Sequence, residues 1–169
     1  MIALQDLLEF QFAQRRARVA RVLSLATGKR DRMPSLEEVL DSTPLLSQSY
    51  VGVRPIEVGR IVGSESRTRE FGRNFLPLRS FLKHRWARVN EAYRGDVALA
   101  AIRVFELDGR YFVRDGRHRV SVARFHRVDY IDAEVVKLTT HQVPRVTMIA
   151  LHTEPALLTG GRSATTFVS

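Results

Sequence analysis

The sequence predicts an α+β fold: a small mixed sheet with packed helices and an N-terminal helical extension. Three observations carry this expectation. Two short alternating apolar runs, 101–107 and 110–114, are joined by Asp108-Gly109 alone, the strongest short-range signal for a β-hairpin. The second run leads through "RDGRHR" (114–119) into a helical pattern at 118–126 and a strand-like stretch at 130–138, so strand, tight turn, helix and strand follow one another. Two longer stretches, 4–26 and 74–95, repeat their apolar residues at helical spacing.

Taken from the N-terminus, Leu4, Leu8, Phe12, Val19, Val22, Leu23 and Ala26 fall near helical spacing and predict one long amphipathic helix, and Gly28 marks its stop. Arg15, Arg16, Arg18 and Arg21 crowd its polar side, either as a nucleic-acid stripe or as a solvated face. "MPSLEEVLDSTP" (33–44) predicts a short helix, with Ser35 as N-cap and Glu38 completing a capping box. The β-branched alternation of 53–63 predicts one strand that runs into the small-residue loop "GSESR" (63–67).

The clearest helix is 74–95, capped by Asn74 and ended by Gly95, with Leu78, Leu82, Trp86, Val89 and Tyr93 on one face; Trp86 on that stripe reads as core. Beyond 139 the pattern weakens to one further strand at 145–152 and a frayed end at 158–169. The expected organisation is an N-terminal helical extension (1–50), a central domain (51–138) and a C-terminal strand and tail (139–169).

Composition narrows the classes of function. The 169 residues contain no cysteine, which excludes disulfides, thiolate metal sites and thiol nucleophiles and suits a cytoplasmic chain. No apolar run is long enough to span a membrane, and Asp6 and Glu9 interrupt any secretory leader. The net charge of +9 favours polyanionic partners, nucleotides or DNA and RNA first. Only three of the 27 basic residues are lysines (Lys29, Lys83, Lys137), and arginine is the better planar phosphate ligand. A GC-rich coding sequence would give the same arginine excess, so that bias decides little alone.

The two Asp-Gly pairs have different surroundings. Asp108-Gly109 has a structural role as a type I′ turn. Asp115-Gly116 precedes a helix start, where amide N–H groups lie unpaired and the helix dipole is positive. Arg117, His118 and Arg119 oppose that dipole unless an anion offsets them. The pattern therefore points to a phosphate cradle, with Asp115 capping the helix or orienting an arginine. The other reading is that these cations face solvent or pair with Asp115, Asp132 or Glu134.

Around this turn, "IRVFELDGRYFVRDGRHRVSVARFHRVDYIDAEVV" (102–136) resembles the ParB/sulfiredoxin-like superfamily: a strand pair, a glycine-basic turn opening a helix, then a strand. The likeness is positional over 53–101 and does not extend to the N-terminal 50 residues or the tail. It implies a ParB/sulfiredoxin-like fold and nucleotide-phosphate binding by the turn. In that superfamily partition proteins bind CTP and DNA, sulfiredoxins use ATP, and free-serine kinases use ADP. Asp115 before the turn and His118-Arg119 at its end are closer to the kinase and sulfiredoxin versions. Sulfiredoxin chemistry needs a cysteine, which is missing, and the stretch after 138 is short for the helix-turn-helix domain of a partition protein.

The expected cofactor is thus a nucleoside di- or triphosphate (CTP, ATP or ADP), with Mg²⁺ as a bridging ion that needs few protein ligands. The binding candidates are Asp115, Gly116, Arg117, His118, Arg119, Ser64 and Arg67. For phosphoryl transfer the carboxylate candidates are Glu57, Glu65 and Glu70, with Glu65 preferred because its small-residue loop would leave it free to approach a ligand. Its other reading is a loop acid paired with Arg67 or Arg69. Ser64 and Ser66 can donate hydrogen bonds but have no adjacent base to make them nucleophiles. The remaining histidines lack metal-ligand spacing.

Three functions stay open at this point. The first is a nucleotide-binding regulatory or nucleic-acid-associated module. The second is a small phosphotransferase or nucleotide hydrolase resembling free-serine kinases. The third is an interaction protein that keeps the fold without nucleotide chemistry and forms homo-oligomers through its N-terminal helix.

Overall fold

The N-terminal periodicity makes an uninterrupted helix, α1 (Leu4–Ala26), but its apolar stripe is not the buried face. In the computed structural model, which describes residues 3–28 and 32–141, the stripe from Leu4 to Leu23 is exposed. The buried side holds Asp6, Phe10, Ala13, Gln14 and Ala17 instead. Small residues there let the helix approach its neighbours closely. Among the described residues, Asn90 Nδ2 donates to Asp6 Oδ1 at 2.9 Å, with Asp6 Oδ2 left without a partner, and Gln14 Nε2 donates to the Leu78 carbonyl at 3.4 Å. Shape and polar pairing outweigh the larger apolar count of the other face.

A short helix, α2 (Leu36–Leu40), follows, with Ser35 Oγ accepting from the Glu38 amide at 3.3 Å as the sequence predicts. The reciprocal half of the capping box is missing. The Glu38 carboxylate pairs with Arg32 at 2.8 Å and Arg67 at 3.0 Å.

The stretch expected as one strand at 53–63 is divided between two. β1 (Leu45–Glu57) starts eight residues earlier, and a 3₁₀ turn at Val58–Arg60 separates it from β2 (Ile61–Ser64). The sequence then passes through an irregular segment and a second 3₁₀ turn at Ser80–Leu82 into α3 (Lys83–Arg94). This helix is shorter than its apolar periodicity suggests. Asn74 Oδ1 accepts from the Leu76 amide two residues on, Phe75 has φ of 61°, and Phe71 bridges to Pro77, so 71–79 forms its own turns. β3 (Ile102–Leu107), β4 (Arg110–Asp115), α4 (Arg117–His126) and β5 (Tyr130–Thr140) complete the described elements. The strand expected at 145–152 lies outside the described residues.

The five strands run in the order β1-β5-β3-β4-β2. β1 and β5 are antiparallel, β3 and β5 parallel, β3 and β4 antiparallel, and β2 and β4 parallel. The single stretch read as one strand therefore lies on both outer edges of the sheet. Asp108 and Gly109 both have positive φ, 50° and 72°, as the two-residue hairpin turn requires.

Alternation along the strands sorts the apolar residues into two layers. Ile102, Val104, Tyr111, Val113, Ala133 and Val135 face α1, α3 and α4, joined by Phe10, Val120 and a fully buried Trp86. The indole meets Phe10 and Phe125 edge-on, and its Nε1 donates to Ser121 Oγ at 2.9 Å. Phe105, Leu107, Phe112 and Leu138 face the other way, against Leu36 of α2. The class is α+β: the described residues form a five-stranded mixed sheet with four α-helices.

Candidate functional site

β2 and β4 run parallel, so their C-terminal ends share one edge of the sheet, with Ser64 beside Val113. From that edge the chain leaves β4 through Asp115-Gly116 into α4, and leaves β2 through residues 64–71. A helix start and a loop thus meet at the carboxyl ends of two parallel strands, a position where α/β proteins commonly place ligands.

Gly116 is the N-cap of α4, in the left-handed region at φ 101°. A Cβ built there would come within 2.5 Å of Ile102 Cγ2 on β3. Glycine is thus required by the turn's backbone and by close approach to the sheet, rather than by space for a ligand. Among the described residues, the amides of Arg117, His118 and Arg119 have no acceptor; the first paired amide of α4 is that of Val120, which donates to the Gly116 carbonyl at 3.0 Å.

The flanking side chains divide into two groups. Arg119 is engaged within the protein: Nη1 donates to the carbonyls of Ala100 and, at 2.8 Å, Ala101, and Nη2 donates to Asp115 Oδ2 at 2.7 Å. Asp115 orients this arginine and does not cap the helix. Arg117 forms no ion pair or hydrogen bond among the described residues. His118 Nε2 is buried without a partner, and its ring lies edge-on to Phe71 at 5.3 Å. Burial, then Arg85 of α3, then Arg117 push the His118 pKa down to about 4, against a smaller opposing effect of Asp115, so the ring is neutral near pH 7.

Arg85 is the residue the sequence did not single out. It sits beside Trp86, more than thirty positions from the turn, and only the packing of α3 on α4 brings its charge to His118.

The β2 side is more constrained than a small-residue loop suggests. Ser64 is buried, and its Oγ donates to the Ser66 carbonyl at 2.5 Å. The Glu65 amide donates to the Val113 carbonyl at 2.9 Å, and its own carbonyl accepts from Glu37 at 3.1 Å. Strand pairing and α2 therefore hold the Glu65 backbone from both sides. Its half-exposed carboxylate lies 3.9 Å from Arg114 Nε. Arg67 is exposed and occupied by Glu38.

Two cavities lie nearby. The larger, about 530 Å³, is lined by Glu57, Val58, Arg124, Arg127 and Asp129 and sits at the C-terminal end of α4. That end carries the negative pole of the helix, so an anion is better placed at Gly116–Arg119 despite the cavity's size. The smaller, about 200 Å³, is lined by Tyr93, Leu99, Ala100, Arg119 and Val122, and touches the turn only through Arg119. The described residues contain no group of three His, Asp or Glu side chains arranged to hold a metal ion, and no helix long and apolar enough to cross a membrane.

No family model and no curated protein sequence matches the chain. Among solved structures, the crystal structure of sulfiredoxin from Arabidopsis thaliana is similar at 18% identity and a TM-score of 0.36, over 49% of this chain and 82% of that one. Likeness at that level carries no chemistry across, and the fold class stands on the sheet described above.

Proposed function

We propose that this chain binds the phosphate groups of a nucleotide at the start of α4 and acts as a regulatory or nucleic-acid-associated module. The observation that supports this reading is the cluster of unused donors at Gly116–Arg119. Among the described residues, three amides without acceptors lie next to the unpaired guanidinium of Arg117 and near Arg85. An anion at that point gains amide hydrogen bonds, the helix dipole and two cations together. Mg²⁺ would arrive with the nucleotide phosphates. The exposed Arg69 and Arg73 and the net charge of +9 favour nucleic acid as a second polyanionic partner.

Placement of Glu65 at the end of β2, on the same edge of the sheet as the turn, supports a second reading as a phosphotransferase or nucleotide hydrolase. In that reading the carboxylate orients an acceptor hydroxyl while the cradle stabilises charge.

A thermal-shift series with CTP, ATP, ADP and GTP, each with Mg²⁺, tests the first reading. A nucleotide at 100 times its Kd adds about 2.7 kcal/mol of stability. The wild type should respond to at least one nucleotide and Arg117→Ala should respond less. Equal shifts in both proteins, or none in either, would overturn the reading. Phosphate release that is lost in Glu65→Gln would favour the enzyme.

A further inference from the structure

Among the described residues, the outward face of α1 takes no part in the fold or in the cradle. Leu8, Phe12, Arg15, Val19, Val22 and Ala26 are spaced alternately four and three residues apart, the repeat of a coiled-coil seam. Phe12, Val19 and Val22 are 57%, 59% and 65% exposed, and no residue from Arg18 to Ala26 is buried. A helix end without packing is marginal in water, and a seam of this repeat is completed by a second helix.

Charge selects the partner. Beyond Glu9, α1 has no acidic residue. Arg15, Arg18 and Arg21 are exposed and form no ion pair among the described residues, while Arg16 lies over the Phe125 ring at 5.9 Å. In a parallel pair of identical helices Arg15 would face Arg15. In an antiparallel pair centred midway between Leu8 and Ala26, Arg15 and Arg18 of both copies would crowd the dyad. An anionic bilayer fits poorly too, because Arg15 sits inside the apolar strip, between Phe12 and Val19, where it would enter hydrocarbon instead of flanking it. A helix with an apolar seam and acidic flanks satisfies both the hydrophobic repeat and the arginines.

We infer that the outward face of α1 docks an acidic amphipathic helix of another polypeptide. The surface lies on a different element from the cradle and stands whether or not nucleotide binds.

The test uses the full chain and labelled synthetic helices with leucine at a and d, flanked by glutamate in one peptide and lysine in the other. Fluorescence anisotropy should show the glutamate peptide binding, weakening as salt rises, with the lysine peptide at least about tenfold weaker. Val22→Asp, at an exposed position, should abolish binding. A double Arg15→Glu/Arg18→Glu variant should reverse the preference. Equal binding of the two peptides, no binding, or full retention in Val22→Asp would overturn the inference. So would sedimentation that shows a dimer dependent on Val22 in place of peptide binding, or preferential binding to phosphatidylserine vesicles.

Discussion

Gly116 and Ile102 are packed so closely that a methyl group on the glycine would overlap the isoleucine, 2.5 Å from Cγ2 and 2.9 Å from Cβ. Gly109 also has a positive φ, yet a Cβ there meets nothing within 4 Å. The two Asp-Gly pairs therefore respond differently to one substitution. Gly109→Ala should cost about 1 kcal/mol, the left-handed backbone penalty alone. Gly116→Ala adds overpacking of the sheet and should cost about 2–4 kcal/mol. Urea unfolding of both variants checks the difference. In an Ile102→Val background, where Cγ2 remains, the Gly116→Ala cost should change little; in Ile102→Ala, which removes Cγ2 but keeps Cβ 2.9 Å away, it should fall only in part.

Asn90 joins three elements. Its Nδ2 donates to Asp6 Oδ1 at 2.9 Å and to Glu9 Oε2 at 2.6 Å, and its Oδ1 lies 2.7 Å from His126 Nε2. Asp6 is fully buried, with Arg94 as its other partner at 3.2 Å. Asn90→Leu leaves a buried carboxylate short of donors and should destabilise the protein by about 3–5 kcal/mol. Adding Asp6→Leu removes the stranded charge, so the double variant should be more stable than Asn90→Leu alone. Chemical denaturation of the full cycle measures that coupling.

His118 makes stability depend on pH. Its folded pKa, near 4, lies below the usual 6.5, so the unfolded chain binds the extra proton first. The stabilising difference is fully present above about pH 6.5 and is lost as pH falls through 4. The ring is partly solvated, so the loss should be about 1–2 kcal/mol, less than the full shift would give. His118→Asn should flatten that part of the pH–stability curve. An anion at the cradle favours the charged ring, so NMR titration should show the His118 pKa rising when inorganic phosphate binds.

Much of the candidate site was legible because it is contiguous. Residues 115–119 carry the glycine, the helix start and the cations in one short run, and each property follows from neighbours in sequence. The use of Arg119 was not legible. Its partners include the carbonyls of Ala100 and Ala101, nearly twenty residues upstream and just ahead of β3. The rigidity of Glu65 was equally hidden, since it depends on pairing with Val113 and on Glu37 of α2.

By itself, the sequence determined the α+β class, the Asp108-Gly109 hairpin, the Ser35 cap and the span of α1, because each depends on local backbone preference and on spacing within one element. Tertiary structure alone decided which face of α1 is buried, how the chain around 53–63 divides between opposite edges of the sheet, and that Arg85 lies near His118. Those outcomes rest on close packing, strand pairing and polar satisfaction among residues far apart in the chain, for which local periodicity carries no signal.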